Sequence, residues 1–238
     1  MKNKLTVLLG VFCTSLALSA AVAPAPIKRT IAVSHVYIPY GFDSNDTSTL
    51  LLEGAFPNLC YQNPEAKVTH EGNKINIEMT ATYRKPGNAQ CAQLVLPFVQ
   101  QVSLGILDRG NYEIVVNEGS MEEKREGLYI EEAASHAVDS YVYANVEYIE
   151  KKEDSRTVTL VGYNPSDCFQ LKEVGVFNND KDTYSITPIM EQVRAHCPMK
   201  MTPFRYEVEI PKSLKVRQAL LHVRSMNGNS VNTLFNNH

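Results

Sequence analysis

The chain has 238 residues, a formal net charge of −3, 44% hydrophobic residues and 21% charged residues. This balance is typical of a globular protein and excludes a disordered or collagen-like chain. Because a nucleic-acid binder needs a clearly basic surface, we expect no nucleic-acid partner. The length allows one or two domains.

The first residues have the pattern of an export signal. Two lysines precede an apolar run from Leu5 to Leu18, and the small residues Ser19 and Ala21 follow. This run is shorter than the roughly 20 apolar residues that span a bilayer. It therefore predicts a cleaved signal peptide, residues 1–21, rather than a membrane anchor. We expect a periplasmic or secreted protein with no stable membrane insertion after signal cleavage.

The cysteine count becomes informative once the signal peptide is removed. Of the five cysteines, Cys13 lies in the signal, which leaves four. An even number in an exported chain predicts disulfides. Four cysteines permit three pairings, so the choice between them needs further information. The cysteines are not spaced as Cys-x-x-Cys, which is typical of metal sites.

An internal repeat supplies that information. The segments Leu50–Tyr61 and Val158–Phe169 share one pattern: an apolar strand, Gly, two residues, Pro, two residues, Cys and an aromatic residue. Further along the chain, Cys91 and Cys197 are each followed by a Pro-Phe pair. Self-similarity in a fixed order indicates a duplicated unit. Equivalent cysteines then pair as Cys60–Cys91 and Cys168–Cys197.

Alternation of apolar and polar residues predicts strands in both copies. Ile75 and Ile77 alternate with polar residues in the first, and Leu221 and Val223 do so in the second. Many short strands separated by turns are typical of an antiparallel sandwich. We predict an all-β protein with two tandem immunoglobulin-like antiparallel β-sandwich domains, residues 22–118 and 133–238, with one disulfide each. The resemblance to immunoglobulin domains is one of fold only, because the chain has no Trp.

One tyrosine fits a feature of such sandwiches. The run from Leu107 to Tyr112 predicts a corner in which the Tyr112 hydroxyl bonds back to the backbone. The alternative is an ordinary tyrosine on a strand.

The junction between the predicted domains is acidic. Residues 118–132 contain six Glu and two basic residues. We expect residues 119–132 to form a solvated linker, part of which, Leu128 to Ile130, is a candidate strand. Glu122, Glu123 and Glu126 are candidates for contact with a cation or a basic partner.

A second candidate binding surface lies near the C-terminus. His222 and Arg224 are two residues apart on a predicted strand, so both side chains lie on one face. That face is a candidate contact for a protein or glycan partner. The alternative is a solvent-facing strand surface without a specific role.

Two loops that contain Asp residues are candidate calcium sites. Asp43 and Asp46 lie in the first loop, and Asp180 and Asp182 lie in the second. Calcium prefers oxygen ligands of this kind. Neither loop matches a dedicated calcium-binding sequence, and Asp and Asn are also common turn formers.

The sequence contains none of the common catalytic strings, such as Gly-x-Ser-x-Gly, His-Glu-x-x-His or the phosphate loop. We therefore predict no catalytic residue and no cofactor. The function that we expect is an exported, non-enzymatic binding or structural protein of the cell envelope. One alternative is a hydrolase with an acidic site at the domain junction, which would need two carboxylates at a defined separation. Another is a secreted protease inhibitor that presents an exposed loop.

Overall fold

The computed structural model describes residues 26–84 and 90–237. The predicted signal peptide, residues 1–21, lies outside the described residues. The predicted all-β class is confirmed, because the described part of the chain forms 15 strands. It contains no helix that is long and apolar enough to span a bilayer.

Eight strands form what we call the N-terminal half of the molecule. They are β1 (Ile27–Thr30), β2 (Val33–Tyr37), β3 (Thr47–Phe56), β4 (Tyr61–Glu71), β5 (Lys74–Tyr83), β6 (Leu96–Ile106), β7 (Gly110–Val116) and β8 (Lys124–Ile130). One sheet has the order β2-β3-β6. The other has the order β1-β5-β7-β8, with β4 paired to the free side of β5.

Seven strands form the C-terminal half. They are β9 (Val146–Lys151), β10 (Thr157–Asn164), β11 (Phe169–Asn178), β12 (Thr183–Gln192), β13 (Thr202–Glu209), β14 (Gln218–Ser225) and β15 (Asn229–Asn236). The sheets have the orders β13-β10-β9 and β11-β12-β14-β15. This order repeats that of the N-terminal half, including one parallel pair at the same place, β5 with β7 and β12 with β14.

Period-two alternation explains how each half builds its core. On β5, Ile75, Ile77 and Met79 are fully buried, while the residues between them are more exposed. Successive side chains of a strand point to opposite faces, so one face of each sheet is apolar. The apolar faces enclose one core in the N-terminal half and a second in the C-terminal half.

Both predicted disulfides are present. Cys60 is bonded to Cys91, and Cys168 is bonded to Cys197. Each bridge ties the segment just before β4 or β11 to the segment that leads into β6 or β13. Tyr112 also adopts the predicted corner, because its hydroxyl donates to the Asp108 carbonyl at 2.9 Å.

Two glycines occupy matching positions in the halves, and at both positions there is no room for a side chain. A Cβ on Gly54 would lie 2.4 Å from the Ala32 carbonyl oxygen and 2.5 Å from the Phe98 ring. A Cβ on Gly162 would lie 2.0 Å from the Asn145 carbonyl oxygen and 3.0 Å from the Phe204 ring. The same close packing against a backbone carbonyl and an aromatic ring therefore requires the shared Gly of the sequence repeat in both halves.

The acidic stretch differs from the expected linker. Residues 124–130 form β8, which pairs along its whole length with β7. Leu128 and Ile130 are buried in the N-terminal core, so the strand is held by the same apolar alternation as its neighbours. The chain passes to the C-terminal half after this strand, between residues 131 and 145.

Candidate functional site

The two halves contact each other through their sheets. Tyr37 and Leu51, from β2 and β3, form a small buried apolar cluster with Leu220 of β14. Polar contacts extend this cluster. The Ser185 hydroxyl donates to the Tyr40 carbonyl at 2.7 Å, and the Asn232 amide donates to the Gln101 side chain at 3.0 Å. We call this contact the junction, and it is the candidate functional site.

A buried ion pair lies within the junction. The Arg224 guanidinium binds both carboxylate oxygens of Asp46, and the side chains are 8% and 1% exposed. Arg224 also lies 3.5 Å from Asp139 and over the ring of Tyr143. Burial raises the pKa of Asp46, while Arg224 and the Asp43 amide act against burial. A bidentate arginine contact of this kind fixes orientation as well as distance.

His222 lies beside this ion pair and is completely enclosed. Its Nδ1 is 2.8 Å from the Asn232 side-chain oxygen, and its ring meets Phe42 edge-on. Its Nε2 is buried and has no hydrogen-bond partner in the part of the chain that the structure describes. Burial is the main cause that lowers the pKa of His222 to about 4; the charge of Arg224 acts in the same direction, and the bond to Asn232 acts against both. The ring is therefore neutral at pH 7.

A second histidine lies at the rim of the junction. The Nε2 of His35 is 2.7 Å from a carboxylate oxygen of Asp182, which is buried. Asn179 and Thr183 also donate to Asp182. Burial alone would raise the pKa of Asp182, but these hydrogen bonds outweigh it and lower the pKa. Asp182 is therefore an ionised group that joins the halves through His35.

A shallow cleft of about 240 Å³ opens next to this rim. Its walls come from both halves: Ile38, Pro39, Tyr40, Glu126, Gly127, Tyr129, Asn179, Lys181 and Asp182. Glu126 is bound across the cleft to Lys181 at 2.6 Å. The cleft thus combines two exposed tyrosines with carboxylates that are already paired.

The structure corrects the prediction for His222 and Arg224. Both lie on one face of β14, as expected, but the face is buried against the N-terminal half. Phe42 and Asp46 cover it. These side chains bind the chain's own other half, and no surface for an external protein or glycan is formed by them.

The structure assigns different roles to the candidate cation ligands. Asp46 and Asp182 are buried and bound to Arg224 and His35. Asp43 accepts the Asn45 amide in a tight turn, and Asp180 belongs to the turn between β11 and β12. Among the described residues, no group of three or more His, Cys, Asp or Glu side chains is arranged to hold a metal ion.

The acidic candidates are only partly brought together. Glu126 faces the junction cleft, whereas Glu123 accepts the Gly119 amide and binds Arg125 at 2.6 Å. Both contacts stabilise the ionised form of Glu123 and so lower its pKa, the Gly119 amide more than Arg125. Glu122 is exposed and follows the same turn.

Sequence reasoning missed the partners of these residues. His35, Phe42 and Lys181 carry no local signal, because each reaches a residue far away in the chain. His35 and Asp182, for example, are separated by 147 positions. Such a pair becomes visible only when the sheet order is known.

Comparison with known protein families gives a match to part of the chain. Residues 50–126 match the ORF11 beta-sandwich domain family, a region that runs from β3 into β8. No curated protein and no solved structure matches the chain significantly. The similarity therefore lies within the N-terminal half, and it agrees with the all-β sandwich class and with a structural or binding role.

Proposed function

We propose that this chain is an exported, non-enzymatic binding or structural protein, periplasmic or secreted, made of two duplicated immunoglobulin-like sandwich domains that act as one rigid unit. The two disulfides are consistent with a periplasmic or extracellular protein. The repeated sheet order and the matching close contacts of Gly54 and Gly162 support the duplication.

The observation that carries this proposal is the buried polar contact between the halves. The contact is buried and crosses from one half to the other: Arg224 binds Asp46, and the His222 ring packs against Phe42. Contacts that are buried and directional hold two bodies at one relative orientation, unlike a flexible linker. A rigid frame of sandwich domains then presents its strand edges and end loops, the usual contact surfaces of such folds.

A hydrolase site at the junction is the alternative with a specific observation behind it, because Glu126 and Asp182 line the same cleft. The geometry supports it less well. A general acid needs a raised pKa, whereas the pKa of Asp182 is lowered by its hydrogen bonds. Glu126 is engaged with Lys181.

Two measurements test the proposal. Expression of the full chain followed by cell fractionation and N-terminal sequencing should give a mature protein outside the cytosol that begins at Val22. Calorimetry of the mature protein should give one unfolding transition for the rigid unit. Retention of the full-length chain in the cytosol would overturn the export, and two well-separated transitions would overturn the rigid unit.

A third measurement separates the proposal from the hydrolase. The mature protein is assayed with chromogenic glycosides and esters beside its Glu126→Gln variant. We expect equal, background rates for both proteins. A turnover that disappears in the variant, while its melting temperature is unchanged, would replace the binding role with an enzymatic one.

A further inference from the structure

Strand β6 is an edge strand that carries no charged side chain. Within the described residues it pairs with β3 on one side and ends its sheet on the other. The sequence from Cys91 to Leu107 contains no charged residue. Val99 is 49% exposed, and Ile106 at the end of the strand is 69% exposed. Natural proteins usually place charges on a free edge, because an unprotected edge pairs with other strands.

The other half provides an internal comparison. Strand β13 holds the same place in its sheet, and Phe98 and Phe204 are paired with Gly54 and Gly162 in the two halves. Counted from these phenylalanines, the outward positions of β13 carry Arg205, Glu207 and Glu209. The corresponding positions of β6 carry Val99, Gln101 and Ser103. The fold thus accepts charges at all three positions, and β6 has none of them.

The pattern along β6 is complementary to itself. If two copies of the strand lie antiparallel with Gln101 at the two-fold axis, Leu96 is opposite Ile106 and Val99 is opposite Ser103. This arrangement brings exposed apolar residues together at both ends and places no like charges opposite each other. Pro97, which has no amide hydrogen, and the bulge at Leu104 restrict a regular ladder that is symmetric about Gln101 to Val99–Ser103, with Leu96 and Ile106 beyond its ends.

We propose that β6 is a self-association edge, and that two copies of this protein pair β6 with β6 about a two-fold axis. The two three-stranded sheets then become one six-stranded sheet. A two-fold contact uses the same surface on both copies, which explains why a single strand can supply all the complementarity. A second copy is the partner that fits this edge, because the apolar ends and the uncharged centre of β6 are complementary to the same strand in antiparallel orientation.

The test is the mass of the mature protein by sedimentation velocity and light scattering over a range of concentrations. We expect a concentration-dependent dimer. In the double variant Val99→Lys with Ser103→Lys, each new lysine is opposite the other's lysine across the axis. We expect the apparent mass to fall to that of a monomer, with at least a ~10-fold rise of the dimer dissociation constant.

Two controls fix the interpretation. The variant Val99→Lys with Ser103→Glu places opposite charges across the axis and should remain a dimer. The variant Glu209→Lys changes the charge at the β13 position equivalent to Ser103 and should also remain a dimer. All three positions are on strand surfaces, and circular dichroism with a melting curve verifies folding. A wild-type protein that is monomeric at every concentration, or a folded double-lysine variant that stays dimeric, would overturn the proposal.

Discussion

His222 makes the stability of the folded protein depend on pH. In the fold its pKa is about 4, because burial disfavours the charged ring. In the unfolded chain a histidine has a pKa of about 6.5. The unfolded state therefore binds the proton first as the pH falls. The contribution to stability is complete above about pH 6.5 and is lost as the pH falls from 6.5 towards 4.

The magnitude follows from these two values. Between pH 7.5 and pH 5 the unfolded histidine becomes almost fully protonated, while the folded one stays mostly neutral. The linkage relation gives a loss of about 2 kcal/mol in the free energy of unfolding over that interval. Within residues 26–84 and 90–237, Arg224 is the charged group that acts on the ring, and its charge acts in the same direction as burial.

Urea unfolding at pH 7.5 and at pH 5 measures this loss, in the wild type and in the variant His222→Phe. Phenylalanine cannot titrate, and its ring suits the contact with Phe42. Other groups that titrate in this range are common to both proteins, so the difference between the two pH dependences isolates His222. We expect the variant to lack about 2 kcal/mol of the wild-type decrease. Equal decreases in the two proteins would refute the reasoning that the ring is buried and neutral.

Three further predictions concern stability and are measured by urea unfolding at pH 7.5. Asp46→Ala removes the bidentate partner of a buried guanidinium, leaves it only the contact with Asp139 at 3.5 Å, and should cost about 3–5 kcal/mol. An unchanged midpoint would mean that the ion pair is open to water. Gly54→Ala should cost about 1–3 kcal/mol, because its Cβ would overlap the backbone and a ring. Gly127→Ala is its control, has open space around its Cβ, and should change stability by less than about 0.5 kcal/mol. Replacing both cysteines of the Cys168–Cys197 bridge by serine opens a loop of 29 residues and should cost about 3–4 kcal/mol. A loss below ~1 kcal/mol there would contradict the loop-entropy account.

Several features were predictable from the sequence because their cause is local. The pairing of Cys60 with Cys91 follows from the sequence pattern that is repeated around Gly54 and Gly162. Both glycines pack closely against a backbone carbonyl and an aromatic ring, which explains why the pattern is present in both halves. The strands follow from period-two alternation, since each has one face in an apolar core. The Tyr112 corner follows from a turn four residues earlier in the chain.

The junction could not be predicted, because its cause is not local. Alternation shows that His222 and Arg224 share a face, but not what covers that face. Arg224 meets Asp46 across 178 positions of chain. The acidic stretch was only partly interpreted as a strand for a related reason: its first residues are charged on both faces, and only Leu128 and Ile130 show the apolar alternation of a strand.

Comparison of equivalent positions shows how the junction differs from the rest of the fold. The parallel pairing places Val116 beside Ile77 in one half and Val223 beside Ile186 in the other. The next residues, Asn117 and Arg224, are therefore equivalent, and both are buried.

Their roles are different. Asn117 stays within its own half, where its side chain accepts the Met79 amide and donates to the Ile31 carbonyl, so that it fixes the end of β1 beside β5. In the C-terminal half, β1 has no full counterpart, and a single bridge between Tyr143 and Ile189 takes its place. Arg224 is thus free of that internal task and reaches the other half. If the halves arose by duplication, as we propose, the docking contact developed at a position whose counterpart still holds a single sandwich together. The C-terminal half depends on Asp46 of its neighbour for the bidentate contact of that guanidinium, with Asp139 at 3.5 Å, whereas the N-terminal half satisfies the equivalent position by itself.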